Sequence, residues 1–187
     1  MKELLYEKII NSMDKSAIRT SDYECCKFND CDFSDADMRD VSFTECEFEN
    51  CNLSNSNILN TAFKDCSFKN CKMLGLRFED CNTFLLALNF DSCTLNFSSF
   101  FKLSLKATSF INSALKEVDF IEANLSNSTF YGSDLTHAVF QRSNLTKVDF
   151  QNAIGLIIDP EENQIKKAKF SLHSLPGLLT RHNITVS

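Results

Sequence analysis

From Tyr23 onward a bulky apolar residue stands at every fifth position: Tyr23, Phe28, Phe33, Met38, Phe43, Phe48, Leu53, Ile58, Phe63, Phe68, Met73 and Phe78. The phase slips by two residues within 79–89. The period then resumes at Phe90 and holds through Leu95, Phe100, Leu105, Phe110, Leu115, Phe120, Leu125, Phe130, Leu135, Phe140, Leu145 and Phe150. A helix repeats at 3.6 residues and a strand at two, so neither element alone carries this pattern. A smaller residue recurs two places before each bulky one, as at Cys26, Cys31, Ala36, Val41, Cys46 and Cys51, and later at Ala123, Ser128, Ser133 and Ala138. Between the two, Asp or Asn is frequent: Asp32, Asp37, Asn52, Asn57, Asn124, Asp134 and Asn144. Like residues also return at twenty, in the column Phe28, Phe48, Phe68 and, past the slip, Phe90, Phe110, Phe130 and Phe150. Four repeats per coil of a solenoid would stack like on like and fix one register.

Cys-Asp-Phe, Ala-Asp-Met, Cys-Asn-Leu and Ser-Asp-Leu are variants of one motif. It closely resembles that of the pentapeptide-repeat family, whose consensus is Ala-(Asp/Asn)-Leu-X-X, over roughly residues 21–153. The resemblance implies an all-β fold, a right-handed quadrilateral β-helix with the bulky and the small residue both inward and with short N- and C-terminal helical caps. At the inter-strand spacing of roughly 4.8 Å, about six and a half coils make a rod on the order of 30 Å long. A solenoid exposes strand edges at its ends and needs closing there. In the N-terminal cap, 1–20, the placing of Leu5, Ile9 and Met13 on one helical face predicts a short helix over 2–13. After the repeat region, 21–153, the pattern stops at Gly155. The C-terminal cap, 154–187, then reads as a helix-like Ser171–Arg181 and an extended Ile184-Thr185-Val186.

The tail residues Asp159-Pro160, Asn163, Ile165-Lys166-Lys167-Ala168, Phe170-Ser171-Leu172 and Leu178-Leu179 resemble the C-terminal segment of the quinolone-resistance (Qnr-like) and microcin-immunity group of that family. The resemblance implies a homodimer paired end to end through the tail, with Phe170, Leu172, Leu175, Leu178 and Leu179 as its contact residues. It also implies a protein partner, DNA gyrase or topoisomerase IV, bound by imitation of the DNA duplex. On that reading the protein shields the topoisomerase from a fluoroquinolone or a toxin.

Composition adds constraints. Eighteen Phe, no Trp, nine Cys, four Gly and two Pro in 187 residues demand a turning device that needs no glycine. No apolar run is long enough to span a membrane, and the N-terminus lacks the apolar stretch of a signal peptide. An odd number of cysteines without a secretory signal points to free thiols in the cytoplasm. A net charge of −6 argues against direct nucleic-acid binding.

Chemistry is sparse. The cysteines fall in the small inward position rather than in CxxC pairs or Cys/His sets, which favours core thiols over a metal site. Cys25 alone falls outward. His137, His173 and His182 are scattered, and there is no GxGxxG, phosphate-binding glycine loop or HExxH. These readings describe a binding module rather than an enzyme, with no cofactor.

Charge and apolar surface supply the candidate contacts. Residues 22–50 hold ten acids and two bases, and Asp30, Asp35, Asp40 and Glu45 share one outward position in four consecutive repeats. They girdle one coil, either as a solubilising collar or as a binding site. Phe101, Ile111, Ile121 and Tyr131 are apolar where polar residues are usual. They form a contact surface, together with Phe97 and Phe84-Leu85-Leu86 at the slip, or fold over the edge of the core. Duplex DNA carries about 18 charges over such a length, at one per roughly 1.7 Å. Shape and a local acidic patch must therefore do what net charge cannot. The alternative reading is a repeat scaffold for some other protein, unrelated to topoisomerases.

Overall fold

The computed structural model describes residues 2–184. The five-residue period becomes a parallel right-handed β-solenoid with four faces. The first face is the ladder β1 (Glu3–Tyr6), β3 (Ser21–Glu24), β5 (Ser42–Thr44) and β7 (Ala62–Lys64). The second stacks β2 (Ile9–Asn11), β4 (Lys27–Asn29), β6 (Glu47–Glu49), β8 (Cys66–Lys69), β9 (Leu88–Asp91) and β10 (Ser109–Ile111). Single parallel bridges hold the third face, from Asp32↔Asn52 to Asp134↔Ile154, and the fourth, from Asp37↔Asn57 to Asp119↔Val139.

Each repeat works as a unit. The small and the bulky residue point into the lumen, and the residue between them bridges to the next coil. The second residue after the bulky one takes a left-handed conformation that turns the chain onto the next face, except at Asp80, where the 3-10 turn Phe78–Asp80 does so. These corners have φ between +50 and +71, and almost all of them are not glycine. Asn and Asp are enriched in that region because a short polar side chain relieves its strain. The shortage of Gly and Pro is thereby resolved.

The lumen is a set of ladders. On the second face eight Phe rings stack from Phe28 to Phe170, with successive centroids 4.7–5.5 Å apart. Rings on neighbouring faces meet these edge-on, as Phe100 meets Phe110 at 5.6 Å. Both arrangements suit the ring quadrupole. The small position is more than a space-filler. Ser128, Ser133 and Ser143 donate their hydroxyls to the carbonyls of Leu105, Phe110 and Phe120 at 2.7, 2.8 and 2.7 Å. Cys46, Cys51, Cys66 and Cys71 do the same through Sγ, to Tyr23, Phe28, Phe43 and Phe48 at 3.4–3.5 Å. Small donors therefore recur where a buried carbonyl has a free lone pair.

Two expectations are corrected. Residues 2–13 form β1 and β2 rather than a helix, and a 3-10 turn, Lys15–Thr20, follows them. The register Leu5↔Tyr23 and Ile10↔Phe28 makes this a further coil two residues short. Its edges pair with the next coil, which a helix could not do. The pattern also does not stop at Gly155. The bridges Asn144↔Gln164 and Asp149↔Lys169 carry the ladder on, and Phe170 stacks on Phe150. The two surplus residues lie in Thr83–Ala87, between the bridge Ala62↔Asn82 and the pair Cys66↔Leu88. Past the ladder come the 3-10 segments Leu172–Leu178 and Thr180–His182. Thr185 and Val186 lie outside the described residues.

Candidate partner-binding surface

Eight of the nine thiols are buried, and Cys25 is partly exposed at a corner. Burial pushes the Cys46 thiol up to about 12. It raises Cys66 and Cys81 too. Partial desolvation, with the Glu45 carboxylate, raises Cys25 as well. Only the thiolate is nucleophilic. Native protein should therefore incorporate one equivalent of a maleimide, at Cys25, faster as pH rises, and all nine only on unfolding. Labelling of several thiols at one rate without denaturant would contradict the ladder.

The acidic collar has a structural origin. Asp30, Asp35, Asp40 and Glu45 are four successive left-handed corners of one coil, with φ of 53, 53, 62 and 53. They stand on four different edges of the prism, so no flat partner touches them all. Their electrostatic settings also differ. On the fourth face Arg39 binds Asp37 in bidentate fashion, at 2.8 and 2.7 Å, and Arg19 adds a contact at 2.7 Å. The Arg39 hydrogen bonds hold the Asp37 carboxyl well below the usual carboxylate range. Asp40 accepts from Asn60 at 2.8 Å and lies 3.9 Å from Arg19. Asp35 lines a shallow hollow with Lys15 and Arg19. Among the described residues the Glu45 carboxylate meets only the Cys25 thiol, at 3.7 Å. Asp30 forms no ion pair among the described residues.

The apolar candidates split into two pairs. Phe101 and Ile121 follow bulky residues of the fourth face, with Lys102 N–H donating to the Ile121 carbonyl at 2.9 Å. Ile111 and Tyr131 follow those of the opposite, second face, where Asn112 N–H donates to the Tyr131 carbonyl at 3.0 Å. Tyr131 is exposed, the other three are half-buried, and the Lys102 ammonium sits 4.7 Å from the Phe101 ring centre. The most exposed apolar pair is Phe84 and Leu85, at 68% and 65%, in the two-residue surplus.

At the far end, Phe170 is the last ring of the second-face stack. Leu172 and Leu175 are exposed, while Leu178 packs on the core and Leu179 is half-buried. The tail is seated by Ile158 N–H donating to the Gly177 carbonyl at 3.1 Å and by Arg181 bridging Asp159 at 3.1 Å and Glu161 at 2.8 Å. Among the described residues no group of His, Cys, Asp and Glu has the arrangement of a metal site. No helix among them is long and apolar enough to cross a membrane.

A parallel solenoid turned by left-handed corners at five-residue spacing defines a repeat protein. The family model for the pentapeptide repeat region matches residues 41–108 and 82–150, and that for pentapeptide repeats matches 25–55; the chain belongs to the pentapeptide-repeat family. Among solved structures it is similar to a trypsin-treated form of QnrB1, a plasmid-mediated fluoroquinolone resistance protein. That match has a TM-score of 0.65 at 19% identity, covering 100% of this chain and 99% of that one. A second trypsin-treated form of QnrB1 gives 0.53 at 20%, with both chains covered in full. HetL, a pentapeptide repeat protein involved in heterocyst differentiation regulation from a Nostoc cyanobacterium, gives 0.43 at 15%, covering 89% and 84%. No curated protein matches the sequence. At these identities the likeness is one of fold.

Proposed function

We propose that this protein is a non-catalytic binder of a bacterial type II topoisomerase, DNA gyrase or topoisomerase IV. It occupies the enzyme's DNA-binding surface and so protects it from a fluoroquinolone or a gyrase-directed toxin. The observation that carries this reading is a solenoid that matches a trypsin-treated form of QnrB1 over 100% of this chain, with an excess of acids in the coils of residues 22–50. Two copies joined through Leu172, Leu175, Leu178 and Leu179 at the C-terminal end would double the length of the rod.

The net charge of −6 and the short surplus at Thr83–Ala87 favour a second reading, a scaffold for some other protein. A supercoiling and drug-stabilised cleavage assay separates the two. Micromolar protein should lower the amount of fluoroquinolone-trapped linear DNA. Changing Asp30, Asp35 and Asp40 to Asn and Glu45 to Gln keeps residue types that tolerate the left-handed corner, yet should weaken gyrase binding several-fold. Absence of any effect by the unaltered protein would leave the scaffold reading.

A further inference from the structure

We infer that the edge between the first and second faces is the docking edge, and that it fits a protein surface bearing a line of Lys or Arg beside an apolar hollow. This deepens the binding reading above by naming the edge and the chemistry of the partner. Three observations converge on it.

The first is apolar. The surplus at Thr83–Ala87 need only lengthen the chain, and Leu86 turns in to pack on the core. Phe84 and Leu85 instead stand side by side in solvent, with Leu85 held at a left-handed corner, φ +59. Two large adjacent apolar side chains projecting from a flush prism do nothing for the fold and favour contact. The second is a groove of about 470 Å³ at the foot of Leu85, lined by Thr44, Glu45, Lys64, Asp65, Leu85 and Ala87. The third is charge. Glu7, Glu45 and Asp65 are corners of this same edge, and Glu24 lies beside it. None of these acids forms an ion pair among the described residues, whereas Glu47, Glu49, Glu122 and Asp149 elsewhere are all paired. On the fourth face Asp37 is neutralised by Arg19 and Arg39. The acids Glu7, Glu45 and Asp65 therefore line this edge without a cation of their own, over a length on the order of 20 Å at the spacing between coils, and the line ends on the Phe84–Leu85 knob.

Phe84→Ser with Leu85→Asn tests the inference without harming the fold, because Asn suits the positive φ. In one arm, gyrase binding is measured for the unaltered protein, the double variant and Glu45→Gln/Asp65→Asn. Both variants should bind at least tenfold more weakly while melting at or above the original temperature. Equal binding by all three would overturn the docking edge and leave the topoisomerase reading standing. The second arm needs no topoisomerase. Isotope-labelled protein is titrated with the peptide acetyl-Lys-Leu-Arg-Leu-Lys-amide, and saturable amide shifts are expected at Thr44, Glu45, Lys64, Asp65 and Ala87. Shifts centred on Asp30, Asp35 and Asp40 instead, or shifts that persist unchanged in the double variant, would overturn it. If the unaltered protein fails to bind gyrase, the topoisomerase reading falls and this second arm alone decides the edge.

Discussion

Phe110→Ala should lower the unfolding free energy by about 3–5 kcal/mol, the range for truncating a fully buried Phe. Phe110 is 0% exposed and lies in the middle of the longest stack, 5.1 Å from Phe90 and 4.8 Å from Phe130. Phe100 and Phe120 meet it edge-on at 5.6 Å each. Removing the ring deletes contacts with four aromatic neighbours, and parallel hydrogen bonds on either side keep the coils from collapsing into the gap. A solenoid has no distant part of the core to share the loss, since each coil touches only its neighbours. Phe110→Leu should cost much less, because Leu105 and Leu115 already serve the same role on adjoining faces. Urea unfolding followed by circular dichroism reads both. A loss under about 1 kcal/mol for the alanine variant, well below that range, would mean that the stack is not the main support of the rod.

Gly155→Ala should act on the last coil and the tail seated on it rather than on the coils before them. Gly155 has φ +67, and a Cβ there would lie 2.7 Å from the backbone of Thr136 and would clash with its hydroxyl. The left-handed conformation alone costs a residue with a Cβ roughly 1–2 kcal/mol, and the contact with fixed backbone adds to it. Gly177 makes a matching approach to the Leu156 carbonyl, so the tail rests backbone on backbone at two places. The variant should loosen the last coil so that trypsin cleaves after Lys166 and Lys167, whose side chains are already exposed, while the β signal of the preceding coils is kept. If the tail pairs two copies, sedimentation should fall to that of a monomer. A trypsin-resistant tail with unchanged sedimentation would contradict this account of how it is held.

Most of the rod was legible because each of the five positions in a repeat has its own physical demand, and the sequence meets that demand many times over. What failed were the places where the same period was interrupted. At the N-terminus Leu5 and Ile10 are five apart, as are Met13, Ile18 and Tyr23, but a three-residue step separates the two runs. Choosing Ile9 in place of Ile10 turns this into a helical spacing, and the structure leaves Ile9 69% exposed. At the other end Gly155 and Pro160 stand where the ladder calls for bulky residues, which hid its return at Ile165 and Phe170. The candidate surface was harder to read. The spacing of Asp30, Asp35, Asp40 and Glu45 is the spacing of left-handed corners, so it reports backbone geometry before it reports function. Which acids remain free depends on cations from another coil, such as Arg19 against Asp37, and no local pattern announces that pairing.

The proposal that the rod takes the place of DNA on a topoisomerase is tested most directly by competition at equilibrium. Labelled gyrase is held with a saturating amount of this protein, and duplex DNA is added at fixed ionic strength. Mutual exclusion predicts complete displacement, an apparent affinity that falls in proportion to free DNA, and weakening of the complex as salt screens the acidic edge over about 8–10 Å. A ternary complex of gyrase, DNA and this protein, or binding that ignores both DNA and salt, would contradict it.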